Sequence, residues 1–196
     1  MQLSDDSERL MRLMGGERVG KPPFWEPWFG MGEMLKRRWG GSGIRERIAM
    51  SQDLGMAIVN LGGVDTNLGF GESGVTSDGV SRYCGGALAS IEQMEERELP
   101  DWDDQIPVLQ HDQGLIRDSG LVSWIILPWC FHKVVTSMGL TNFAVRVYKN
   151  FSFVDRAFEI VEERNRLAIE SVIRKVRPDI VFFDGDCSYK HGLMVD

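Results

Sequence analysis

Residues 121–127 read LVSWIIL and residues 179–183 read DIVFF. Both are continuous apolar runs of strand length rather than alternating ones, which is the pattern of strands covered on both faces in a parallel sheet. Pro128 stops the first run. Between them lie a helical stretch near residues 131–139 and a long helix over residues 153–176. In that long helix Val154, Ala157, Phe158, Val161, Ala168, Ile169, Val172 and Val176 recur at steps of three and four, leaving Glu159, Glu162, Glu163, Arg166 and Lys175 for solvent. Ser152 and Asp155 suggest a capping box at its start, and Pro178 bars its continuation. The spacing therefore predicts strand, helical crossover, strand. Such a unit is right-handed and brings both strand exits to one rim, where α/β folds build their sites.

The first half carries weaker signals. Residues 3–14 place Leu3, Leu10, Met11 and Met14 on one helical face with Ser4 as cap, and Gly15 and Gly16 end the helix. PPFWEPWF (22–29) reads as an extended segment, MGEMLKRRWGG (31–41) as a short helix closed by glycine, and MAIVNLGG (56–63) as a second apolar strand. Residues 62–100 form an irregular excursion rich in Gly, Ser, Asp and Thr, read as a long loop or poorly packed hairpins within one domain, 1–196. Gly69, Gly71 and Gly74 spell GxGxxG there, but the residues after Gly74 are poor helix material, so a dinucleotide site lacks its context. IEQMEEREL (91–99) reads as a solvated helix or turn.

Composition narrows the partners. Lys plus Arg at 22 against Asp plus Glu at 29 gives a net charge of −7 with no dense basic block, which argues against nucleic acid. No apolar run approaches the ~20 residues of a membrane span, and the acidic N-terminus is unlike a signal peptide, so the expected setting is cytoplasmic with no membrane partner. Three cysteines without a CxxC pair support neither a disulfide framework nor a zinc ribbon.

The candidate chemistry sits at the strand exits. Asp184 and Asp186 follow the second run closely enough for one to act as an acid or for both to hold a cationic group, and otherwise cap a turn. Tyr189, Lys190 and His191 are placed to orient a substrate carboxylate. Cys130, His132, Cys187 and His191 are residue types that bind zinc, though their spacing is not that of a metal motif and a buried cysteine equally serves as a small apolar residue; no metal is expected in this chain. His132 is retained as a substrate-binding candidate. Trp25, Trp28 and Trp129 offer flat apolar walls or core packing, and Glu26, between two tryptophans, needs a partner if buried and so points to the site.

The order of WIILPWCFHKVVTSMGLTNFAVRVYKN (124–150), the long helix and RPDIVFFDGDCSYKHGLM (177–194) resembles the uroporphyrinogen decarboxylase superfamily, including its methylcobamide methyltransferase-like branch. Residues 15–61 resemble the opening of the same group more weakly. The resemblance implies a (β/α)8 barrel with its site at the carboxyl ends of the strands, a functional role for at least one of Asp184 and Asp186, both taken as catalytic candidates, and a tetrapyrrole, corrinoid or methylated small-molecule substrate. The four strand candidates fall short of the eight, in about 250 residues, that a closed barrel needs, so a partial barrel with a partner chain completing it is expected. Residues 25–40 lack the Arg-Gln-Ala-Gly-Arg pattern of the true decarboxylases, which favours methyl transfer over porphyrin decarboxylation. Corrinoid and zinc would then belong to the complete enzyme, and a catalytically silent half-barrel acting as a binding scaffold is the remaining alternative.

Overall fold

The structure, a computed structural model, describes residues 2–25, 32–64, 68–75, 77, 81–98, 102, 104–184, 188–189 and 192–193. In chain order the elements are α1 (Asp5–Met14), α2 (Gly32–Trp39), α3 (Ile44–Leu54), β1 (Ile58–Gly62), β2 (Gly71–Val75), β3 (Ser81–Gly86), α4 (Ile91–Glu95), α5 (Gln105–Asp118), β4 (Val122–Pro128), α6 (Cys130–Met138), α7 (Leu140–Lys149), α8 (Phe151–Lys175), β5 (Ile180–Asp184), β6 (Ser188–Tyr189) and β7 (Gly192–Leu193). They fall into two compact units. The first comprises Met1–Gly63, Asp103–Ile126 and Ser171–Phe182, and the second Val64–Trp102, Leu127–Glu170 and Phe183–Asp196.

The first unit is built on a sheet of order β1-β4-β5. β1 and β4 run parallel, with Ile58 opposite Val122 and Val59 opposite Ser123. Just ahead of β1, Phe24 bridges Met56 in parallel, and the Ala57 amide donates to the Phe24 carbonyl at 3.0 Å. The starts of β4 and β5 are tied side to side. Ser123 donates from its amide and its hydroxyl to Asp179 Oδ2 at 2.9 and 2.7 Å, and the Asp179 amide donates back to Ser123 Oγ at 2.9 Å. Start meeting start is what co-directional strands require. Extended segments thus lie side by side in chain order, without the reversal of a doubly wound sheet.

α1 closes the amino ends of β1 and β4. Ser4 caps it by accepting from the Ser7 amide, with Asp5, Asp6 and Glu8 in the first turn favoured by the helix dipole. The Ser4 amide donates to the Gly120 carbonyl at 2.8 Å, and the buried Ser7 hydroxyl donates to the Ala57 carbonyl at 2.7 Å. Leu10 then packs among Ala57, Ile58, Val122 and Trp124, a burial that stabilises by about 1.5–3 kcal/mol. Trp124, 1% exposed, meets Trp25 and Phe182 edge-on at centroid distances of 5.7 and 6.0 Å. α3 packs on β1, where the Ser51 hydroxyl donates to the Ile58 carbonyl at 3.0 Å.

In the second unit β2 and β3 form an antiparallel hairpin that packs on α6. Tyr83 donates its hydroxyl to the Thr136 carbonyl at 3.1 Å. Gly86 is required by this approach, since a Cβ there would run into the Ser137 carbonyl and stand 2.5 Å from the Gly139 amide. Gly139 itself joins α6 to α7 at φ 82°, a conformation open to glycine. The hairpin settles the GxGxxG question: Gly71 and Gly74 lie in β2, which pairs with β3, and among the described residues the next element is that strand rather than a helix on which a phosphate could sit. α4 carries a full capping box between Ser90 and Gln93 and buries Met94 completely, so the charged run at 91–99 is only solvated in part.

Two sequence expectations need correction. α8 begins at Phe151, so Ser152 lies inside it; Asn150 takes the capping role, its Oδ1 accepting from the Phe153 amide at 3.3 Å. β5 is not buried on both faces either. It lies at the end of the described sheet order, and Phe183 is 49% exposed. Among the described residues, no helix is long and apolar enough to cross a membrane.

Candidate functional site

The second unit holds a cavity of about 450 Å³ lined by Trp129, Cys130, Glu162, Asn165, Arg166, Ile169, Glu170 and Phe183. Its position follows from the strand exits. Trp129 is the first residue after β4, extended at φ −85° and ψ 142°, and Cys130 opens α6. Phe183 is the last residue but one of β5, and α8 supplies the remaining wall. This volume is in the range of small-molecule sites, and Trp129, Phe183 and Ile169 give it an apolar lining with few polar groups, as such sites have.

The polar groups are placed with some care. Asn165 is 4% exposed, and its amide donates to Cys130 Sγ at 3.5 Å. Burial raises the Cys130 thiol above its ordinary range, Asn165 pulls it the other way, and Glu162 adds to the rise. The thiol is therefore held protonated at neutral pH, which makes Cys130 an apolar wall with a weak donor rather than a nucleophile. Arg166 is held on the helix surface between Glu163 at 2.7 Å and Glu170 at 2.9 Å. Trp129 is 50% exposed.

Of the residues singled out in the sequence, Trp129 lines this cavity together with Cys130. His132 is exposed on α6 and is not part of the lining. Trp25 belongs to the first unit, where it joins Trp124 and Phe182 in the aromatic cluster; its indole N–H is buried there without a hydrogen-bond partner among the described residues. Asp184 ends β5 and Tyr189 lies in β6, and only their backbone is described. Glu26, Trp28, Asp186, Cys187, Lys190 and His191 lie outside the described residues. Among the described residues no group of three or more His, Cys, Asp or Glu side chains could hold a metal ion.

Sequence reasoning passed over Asn165, Ile169 and Phe183 as cavity residues. A signal existed for Asn165, which falls at helical spacing with Val161, Ala168 and Val172 and so interrupts the buried stripe of α8 with an amide.

No family profile matches the chain, and no curated protein matches it. Among solved structures, a methyltransferase from Methanosarcina mazei is similar, with a TM-score of 0.63 at 17% identity, covering 90% of this chain and 57% of that one. At that identity the likeness shows the fold. The chain has a methyltransferase-like α/β fold and spans little more than half the length of the protein it matches.

Proposed function

We propose that the chain is a (β/α)8-type domain of the uroporphyrinogen decarboxylase-like group working in methyl transfer, with a methylated small molecule as substrate and a corrinoid as the methyl carrier. The observation that carries the reading is the fold likeness to a methyltransferase over 90% of the chain. The chain-order arrangement of strands in the sheet supports it, since a singly wound barrel grows in that way.

In this reading Trp129, Phe183 and Ile169 surround the methyl-bearing end of the substrate and exclude water from it, while Asn165 fixes its orientation. Asp184 and Asp186 hold a proton or a cationic group at the strand exit, with Tyr189, Lys190 and His191 as further binding residues. The substrate is assigned to this cavity, whose volume of about 450 Å³ suits a small molecule, and the corrinoid is met by the exposed half of Trp129. The corrinoid, when bound, supplies the methyl-carrying centre. Among the described residues no zinc site is assembled.

The test is an absorbance titration of the full chain with methylcobalamin, with uroporphyrinogen in parallel. Binding of methylcobalamin near the micromolar range is expected. Uroporphyrinogen binding in its place would transfer the assignment to decarboxylation, and binding of neither would remove the enzyme reading.

A further inference from the structure

A second cavity, of about 450 Å³, lies in the first unit beside the start of β5 and is lined by two segments, Gln110–Arg117 of α5 and Arg174–Arg177 at the end of α8. Among the described residues its lining includes four cationic residues, Arg117, Arg174, Lys175 and Arg177, and no carboxylate, in a chain whose net charge is −7. Part of this has a structural account. Both helices end here, and cations complement the negative end of a helix dipole. Arg117 also donates to the Arg177 carbonyl at 2.9 Å, in a turn where Arg177 takes φ 55°.

Two features are left over. Gln113 is 2% exposed and donates its amide to the Arg177 carbonyl at 3.3 Å, and among the described residues no donor meets its buried Oε1. A buried acceptor without a partner is costly, and a structure tolerates one where something else supplies the donor. Gly114 follows it in the middle of α5, where glycine is a poor helix former, yet nothing stands within 4 Å of where its Cβ would be. Among the described residues no neighbour from outside α5 demands the glycine. It keeps the cavity wall open.

We propose that this cavity binds a small oxyanion that retains an O–H donor at neutral pH, inorganic phosphate being the type. Arg117 and Arg177 meet its charged oxygens, its hydroxyl donates to Gln113 Oε1, and it rests against the bare backbone of Gly114. Sulfate has the same shape and charge but no proton, so it would set lone pair against lone pair at Gln113. A phosphomonoester, with a second pKa of about 6, loses its proton above neutrality and behaves like sulfate there.

The test is calorimetric titration of the full chain at pH 8 and fixed ionic strength with inorganic phosphate, sulfate and methyl phosphate. Phosphate is expected to bind about tenfold more tightly than the other two, the equivalent of one buried hydrogen bond. Gln113→Leu is expected to erase that preference, and Gly114→Ala to weaken phosphate by a similar factor while raising the melting temperature. Equal affinity for phosphate and sulfate in the wild type would overturn the proposal. So would unchanged phosphate binding in Gly114→Ala, a variant that a better helix former keeps folded even should Gln113→Leu fail to fold.

Discussion

The two ends of β4 and β5 are furnished differently. At their starts, Ser123 and Asp179 exchange three hydrogen bonds, and the Ser4 amide ties α1 to Gly120. At their exits, Trp129 is 50% and Phe183 49% exposed beside an apolar cavity. The same two strands thus begin in closure and end in unpaired apolar surface. In open and closed α/β sheets alike, sites are generally built at the carboxyl ends of the strands.

That contrast can be broken by substitution. The largest effect belongs to the layer just inside the closed end: Trp124→Ala removes a fully buried indole from between Trp25 and Phe182 and should cost about 3–5 kcal/mol in urea denaturation. A value within error of a surface substitution would mean that the aromatic cluster is not core. Asp179→Ala should cost less, about 1–3 kcal/mol, because it leaves the amide and hydroxyl of fully buried Ser123 without their acceptor. Asp179→Asn sharpens the point, since an amide oxygen can still accept, and it should recover part of the loss. No recovery would show that the contact works through charge alone.

How far the sequence disclosed this arrangement depended on periodicity. β4, α8 and α1 were legible because their apolar residues keep one spacing over most of each element and Ser4 marks a start. α5 was not, because Pro107, His111, Asp112 and Gly114 break its stripe, although Ile106, Leu109 and Ile116 are buried. The hairpin of β2 and β3 was obscured by glycines whose reason is tertiary: Gly86 is needed by α6, which no local pattern reveals. At the site, Trp129 could be read from its place after a strand, whereas Phe183 looked buried because an apolar run does not say which strand ends the described sheet order. Asn165 was hidden by the helix around it, its polarity telling only once Cys130 is seen beside it.

Whether Trp129 serves binding or folding decides between a working strand exit and a mere extension of the core, and one variant measures both. Trp129→Ala should leave the unfolding free energy in urea within about 0.5 kcal/mol of wild type, as a half-exposed side chain permits, while methylcobalamin affinity falls by about tenfold or more, the loss of roughly 1.4 kcal/mol. A variant that binds methylcobalamin as tightly as wild type but unfolds several kcal/mol sooner would contradict the binding role, and would return the strand exits to the core.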